Sequence, residues 1–205
     1  MPKTFKQNKE IKEKRRENIL DTSLNLFIKY GYENVSIDSI SNALKCSHSL
    51  LYHYFINKEE IYKALDDTSW SLLNEIFLSL DETDPGFKLI QKLTDEIFNL
   101  IYIEDRNAKL IALFFEDKLN KVNGGLSIKD SLSKKKIFTL IFKSLSIIKK
   151  GIDKNDKFSI NEIVILYFSF IKDSALNKIH YPNLFKSKPD INYFFLLINK
   201  EDANV

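Results

Sequence analysis

The sequence has 205 residues, a formal net charge of +3, 44% hydrophobic and 29% charged residues, a balance that excludes an intrinsically disordered chain. Its greasiest run, "IVILYFSFI" at 163–171, is far shorter than the roughly 20 apolar residues a bilayer span needs. A single cysteine, Cys46, excludes an internal disulfide and suits a reducing cytosol, and five glycines with four prolines leave few breakers of long helices.

The first twenty residues are basic. Lys3, Lys6, Lys9, Lys12, Lys14, Arg15 and Arg16 stand against Glu10, Glu13 and Glu17, a local balance of +4. No apolar stretch of a secretory signal follows, so the expected location is the cytoplasm, away from membranes. From Ile11 onward Ile19, Leu20, Leu24, Phe27 and Ile28 recur at three- and four-residue steps, the mark of one helix face. Gly31 can take the left-handed conformation that closes such a helix.

Ser36 then stands where an N-cap belongs, before a short helix over "IDSISNAL" that must end near Lys45. A second short helix fits "HSLLYHYF", 48–55. Asn57 can cap the next helix, with Glu60 in capping-box position, and the pattern from Lys58 to Leu80 is one long helix. "DPG" at 84–86 starts another with Asp84 as N-cap and Pro85 at its first position, running to about Ile103. A helix over about 106–122 follows, "NGG" at 123–125 breaks it, and the next covers about 129–150 and stops at Gly151. Ser159 and Glu162 form a capping box for a helix reaching about His180, and Asp190 caps a last one to about Lys200. No alternating strand pattern and no repeat is found, so the fold class is all-α, of about nine helices.

Two short helices joined by about three residues, under a longer first helix, are a helix-turn-helix arrangement. The second helix must be exposed on one side to enter a major groove. The buried side is expected to be Ile37, Ile40, Leu44, Cys46, Leu50, Leu51 and Phe55. The exposed side is expected to be Ser47, His48, Ser49, Tyr52, His53 and Tyr54. Hydroxyl and imidazole groups there can donate to and accept from base edges and phosphates.

The stretch "ILDTSLNLFIKYGYENVSIDSISNALKCSHSLLYHYFINKEEI" resembles the N-terminal signature of the tetracycline-repressor (TetR/AcrR) family of bacterial transcription regulators. Ile19-Leu20, Leu26-Phe27, Gly31-Tyr32, Ser36 and Ile40 carry the likeness, followed by Ser47, Leu51, Tyr52, Tyr54, Phe55, Lys58 and Glu59 in recognition-helix spacing. It covers about residues 15–62. Lys45, Leu44 and Ser49 depart from it, standing where the family keeps Gly, Ala and Gly. A non-glycine in the left-handed region costs roughly 1 kcal/mol. Positions 48 and 49 would face bases, so the departures bear on operator sequence more than on fold.

The resemblance implies an N-terminal DNA-binding domain over 1–57, a C-terminal helical ligand-binding and dimerisation domain over 58–205, and phosphate contacts from Ser36, Tyr52 and Lys58. Independently of it, Ser36 opens a helix whose free N–H groups attract an anion. Lys58 lies in a first helical turn, where a cation needs something negative close by. Glu59 and Glu60 could be that something, leaving Lys58 in local pairing, and Tyr52 could be half-buried core. Ser47, His48, Ser49 and His53 are the candidates for base reading, against an ordinary exposed helix face. His48 and His53, five apart, do not align as metal ligands. No metal and no cofactor is expected, and Cys46 reads as core, with a redox sensor as the lesser alternative.

Toward the C-terminus the segments 163–171 and 191–198 are apolar almost all round and want cover on every side. The resemblance implies a homodimer through the last two long helices, with Ile163, Leu166, Tyr167, Phe170, Phe194 and Leu197 as candidate interface residues; burial within the monomer is the alternative. Trp70, Phe77, Phe98, Tyr102, Phe114, Phe115, Phe138 and Phe142 are candidates to line a pocket for a small apolar or aromatic effector, against plain core packing. The expected function is a ligand-responsive, dimeric transcription regulator, acting as a repressor on a near-palindromic double-stranded DNA operator. The alternative is a helical small-molecule- or partner-binding protein with a degenerate DNA-binding head. With no nucleophile-and-base set, no phosphate loop and three scattered histidines at 48, 53 and 180, an enzyme is not expected.

Overall fold

The computed structural model describes residues 5–81, 83, 86–123, 136–152 and 158–198. Among the described residues there are nine helices and no strand: α1 Phe5–Tyr30, α2 Ile37–Leu44, α3 His48–Tyr52, α4 Lys58–Ser79, α5 Phe87–Ile103, α6 Asp105–Asn123, α7 Lys136–Ile152, α8 Ile160–His180 and α9 Asn192–Ile198. The chain divides into two compact units, Met1–Ser69 and Trp70–Val205.

In the first unit, α1 buries Ile19, Leu20, Leu24 and Phe27, the stripe its periodicity marks out. Ser23 is buried with them; its hydroxyl donates to the Ile19 carbonyl at 2.7 Å, so no polar group is stranded. The helix starts at Phe5, earlier than the apolar pattern from Ile11 indicates. Gly31 ends it at φ 78°, its N–H donating to the Phe27 carbonyl at 2.9 Å. Ser36 caps α2 reciprocally with Ser39: each backbone N–H donates to the other's hydroxyl. Lys45 closes α2 in the left-handed region, φ 51° and ψ 44°. Asn57 caps α4 by accepting from the Glu60 N–H at 2.8 Å. The Glu60 carboxylate reaches back past Asn57 to the Ile56 N–H, so the expected box closes one residue early.

In the second unit, α8 is the central helix, packed by α5, α6, α7 and α9. That explains why its sequence is apolar on nearly every side. Ser159 and Glu162 form the expected capping box, and the Asp190 carboxylate accepts from the Asn192 N–H ahead of α9. The start of α5 differs from expectation: Gly86 is the N-cap, at φ 102°, and makes no side-chain cap. Its N–H donates to the buried Ser144 hydroxyl of α7 at 3.0 Å. Asp84 and Pro85 lie outside the described residues, as do the glycines 124 and 125, residues 129–135 and Lys200. The helix α7 runs through Gly151 to Ile152 and does not stop there. No helix among the described residues is long and apolar enough to cross a membrane.

Candidate nucleic-acid interface

The first unit positions a short polar row on α3. Ile40 of α2 and Leu51 of α3 are fully buried and pin the two helices together. Between them the Lys45 N–H donates to the Asn42 carbonyl at 3.1 Å and the Cys46 N–H to that of Ser41 at 3.0 Å. These bonds use carbonyls that the end of α2 leaves without helical partners. The turn therefore keeps the shape a glycine would favour, with a lysine in it. Cys46 is half-buried and free. Ile37, Leu44 and Leu50 are half-buried too, while Phe55 is buried as expected.

Ser47, His48, Ser49, Tyr52 and His53 all lie exposed on this element, and Tyr52 is 53% accessible. Tyr54 departs from the expected row: it is half-buried, its ring edge-on to His53 at 5.3 Å. The reason is the length of α3, which ends at Tyr52 and not at Phe55. The Tyr54 and Phe55 N–H groups both fold back onto the Leu51 carbonyl, turning residue 54 off the exposed face.

The exposed side chains are already partly ordered. Ser47 is the N-cap of α3, accepting from the Leu50 N–H at 3.3 Å, and its hydroxyl lies 3.1 Å from that of Ser49. Nε2 of His48 lies 3.3 Å from a carboxylate oxygen of Asp38 on α2. That contact links the exposed imidazole to the neighbouring helix, and sequence spacing gave no sign of it. Ser36 is exposed at the start of α2, its hydroxyl taken up by the Ser39 N–H.

Lys58 is half-buried. Its ammonium donates to the Tyr32 carbonyl at 2.9 Å and lies 4.0 Å from the Tyr32 ring centroid. The lysine thus turns to Tyr32, and the two neighbouring glutamates are engaged elsewhere. Glu59 accepts from the Tyr32 hydroxyl at 3.2 Å, and Glu60 is the cap of Ile56. Tyr32 in turn packs among Phe27 and Tyr62, with centroids at 5.5 and 4.7 Å. Burial foremost, then the Glu59 carboxylate, pushes its phenol up to about 12. Tyr32 and Glu59 are thus part of the frame behind the interface, beyond the candidates their sequence positions suggested. No group of three or more His, Cys, Asp or Glu side chains that could hold a metal occurs among the described residues.

In the second unit the eight aromatic candidates do not form one set. Trp70, Phe77, Phe114 and Phe138 pack ring on ring, and Phe115 joins them through Phe114 at 5.4 Å. Phe98 touches none of these directly: it packs on Phe170, 5.6 Å away, and links to them through Phe194, Tyr167 and Phe168. Phe142 is half-buried on α7. Tyr102 is half-buried, and its hydroxyl is buried without a hydrogen-bond partner among the described residues. Of the six candidate interface residues, Ile163, Tyr167 and Phe194 are fully buried within the chain itself. They fill the protomer's own core, because α8 is enclosed by four helices, and they are not on its surface. Phe170 is half-buried, Leu166 is 38% accessible, and the Leu197 side chain lies outside those described.

Residues 19–65 match the family model described as bacterial regulatory proteins, tetR family. The biofilm operon icaADBC HTH-type negative transcriptional regulator IcaR of Staphylococcus epidermidis is 27% identical over 96 residues, 46% of this chain and 50% of that protein. The HTH-type transcriptional repressor NicS of Pseudomonas putida is 31% identical over 75 residues, 36% of this chain and 35% of NicS. The chain spans about half the length of the first curated relatives it matches. Two solved structures share the fold. The fatty acid degradation regulator FadR from Bacillus halodurans has a TM-score of 0.54 at 13% identity, over 92% of this chain and 96% of that one. The ketosteroid transcriptional regulator KstR2 of Mycobacterium tuberculosis has a TM-score of 0.51 at 14% identity, over 91% and 96%.

Proposed function

We propose that this chain, whose residues 19–65 match the model of the tetR family of bacterial regulatory proteins, is a DNA-binding transcriptional regulator of that family that represses from a near-palindromic operator as a dimer. The observation that carries the reading is the exposed polar row of Ser47, His48, Ser49, Tyr52 and His53 on a short helix held down by Leu51. A helix so narrow and so mounted can enter a major groove, where those groups meet base edges. His48 and Ser49 have the reach to read bases, with Ser47 and His53 at the ends of the row. Ser36, Tyr52 and Lys58 would meet phosphates and set register.

In this reading residues 1–57 read DNA, and 58–205 take a small apolar or aromatic effector and form the dimer. A two-fold dimer presents two copies of α3 to successive turns of the duplex. An effector that favours the state with the recognition helices out of register weakens binding by its differential affinity for the two states. Leu166, exposed on α8, and Phe170 are the candidates to meet a partner.

The test is a binding selection of the purified protein against a random double-stranded DNA library. An enriched near-palindrome, with half-sites about one helical turn or slightly more apart, supports a dimeric operator binder. Retention of no preferred sequence would instead favour a helical binding protein whose DNA head is degenerate.

A further inference from the structure

The helix α1 begins at Phe5, yet from Lys6 onward its first buried residue is Ile19. Residues 6–18 are all exposed apart from half-buried Arg16. At about 1.5 Å per residue this is an arm of roughly 20 Å standing off the core of its unit. An unsupported helix of that length is marginal in water. The arm has no apolar face to bury, because Ile11 is the one large apolar residue within 6–18.

Its charges are sorted by face. At about 100° per residue, Lys9, Lys12 and Arg16 fall on one stripe, which runs on into Ile19, Ser23 and Phe27, and Arg15 flanks it. Glu10, Glu13 and Glu17 fall on the neighbouring stripe. Lys9, Lys12 and Arg15 make no ion pair among the described residues, whereas Arg16 reaches Glu17 at 3.8 Å. At the base of the basic stripe the Arg16 guanidinium sits over the Phe55 ring, 5.1 Å from its centroid. Phe55 belongs to the turn that directly follows α3. The basic stripe therefore ends against the turn that directly follows the reading helix.

We propose that the first turns of α1 are a second DNA contact, in which Lys9, Lys12 and Arg15 neutralise phosphates beside the segment read by α3. The proposal rests on the DNA-binding reading above and extends the footprint it implies. Charge complementarity and contact with the turn after α3 select duplex phosphates as the occupant. An anionic membrane is the poorer fit, because an interfacial helix needs a broad apolar face, and apart from its first residue, Phe5, this one offers Ile11 alone before Ile19.

The test compares the full-length wild type, the triple variant Lys9→Gln/Lys12→Gln/Arg15→Gln, and Tyr52→Phe. Fluorescence anisotropy on a mixed-sequence duplex of about 40 base pairs is followed across a salt series. Each lost phosphate contact removes about 0.9 from the slope of log K against log salt. The triple variant is therefore expected to lose about 2 to 3 in slope, with its urea midpoint unchanged. On a duplex of about 12 base pairs, roughly one turn and little more than α3 alone covers, its deficit should shrink. An unchanged slope in the triple variant, with Tyr52→Phe weakened, overturns the arm contact and leaves the reading by α3 standing. No wild-type binding to either duplex at low salt overturns both. Vesicles of three parts phosphatidylcholine to one part phosphatidylserine are the second probe. Loss of vesicle binding in the triple variant with DNA binding intact assigns the arm to membranes and overturns the proposal.

Discussion

The ammonium of Lys58 donates to the carbonyl of Tyr32 at 2.9 Å and lies 4.0 Å from the centroid of that residue's ring. One cation thus ties the loop before α2 to the first turn of α4, and the Tyr32 hydroxyl returns the tie by donating to Glu59. The arrangement resolves the apparent misplacement of a cation at a helix N-terminus, where the dipole disfavours it. The opposing charge comes from a carbonyl dipole and a π face, which face the ammonium from outside its own helix.

Lys58→Ala should therefore have two separable effects. Loss of a charge-assisted hydrogen bond and a cation–π contact at a half-buried site lowers stability by about 1 to 2 kcal/mol, read as a lower urea midpoint. Loss of the proposed phosphate contact lowers the salt slope of DNA binding by about 1. A shifted midpoint with an unchanged slope would assign Lys58 to the frame alone and remove it from the DNA contacts.

Tyr32 adds a pH dependence. Its phenol is pushed up to about 12 in the folded chain by burial, with the Glu59 carboxylate adding to the effect, while in the unfolded chain it titrates near 10. The unfolded state therefore releases the proton first as pH rises, and ionisation favours unfolding between those two values. Below pH of about 10 the group contributes no slope. Stability should fall from about pH 10 towards 12, and a Tyr32→Phe protein, which keeps the ring among Phe27 and Tyr62, should fall less steeply over that window. Parallel curves for the two proteins in urea titrations at stepped pH would refute the assignment.

Lys45 sits at φ 51° and ψ 44° at the end of α2, the conformation in which a Cβ costs roughly 1 kcal/mol relative to glycine. The side chain is exposed, so its removal loses little packing. Lys45→Gly is expected to raise the unfolding free energy by up to about 1 kcal/mol, moderated by the extra freedom glycine gives the unfolded chain. Chemical denaturation checks it; a destabilised variant would mean that the lysine stem contributes more than its backbone strain costs.

Helix ends were legible because caps are local chemistry. Ser36, Gly31, Lys45 and the Ser159–Glu162 pair each depend on residues within four positions, and each stands where the sequence placed it. The row on α3 was legible for the same reason, save for Tyr54, whose position depends on where a five-residue helix stops. What escaped was long-range. Nothing in the pattern pairs Lys58 with a carbonyl 26 residues away or brings Asp38 to His48. An apolar segment such as 163–171 announces that it is covered on all sides but not by which helices. Ile163 and Tyr167 could thus be read as interface when α5, α6, α7 and α9 already enclose their helix. Gly86 escaped because its role is to give an N–H to Ser144 across the unit, which no spacing rule encodes.

In the core of the second unit the hydroxyls of Thr94 and Tyr167 lie 2.8 Å apart, both buried. Thr94 has one hydroxyl proton and spends it on the Ile90 carbonyl, 2.7 Å away. Tyr167 must then be the donor and Thr94 the acceptor. Complete burial holds the Tyr167 phenol well above its ordinary value, with the Thr94 bond partly opposing, so it remains a donor throughout the neutral range. Thr94→Val keeps the shape and removes the acceptor, leaving a buried hydroxyl unpaired at a cost of about 1 to 3 kcal/mol. Tyr167→Phe alone leaves Thr94 its bond to Ile90 and should cost less. The double variant should recover most of the loss of Thr94→Val, because no buried donor is then stranded. A double-mutant cycle by urea denaturation reads the coupling. Strictly additive effects of the two substitutions would show that the pair is not coupled and that the core holds its tyrosine by packing alone.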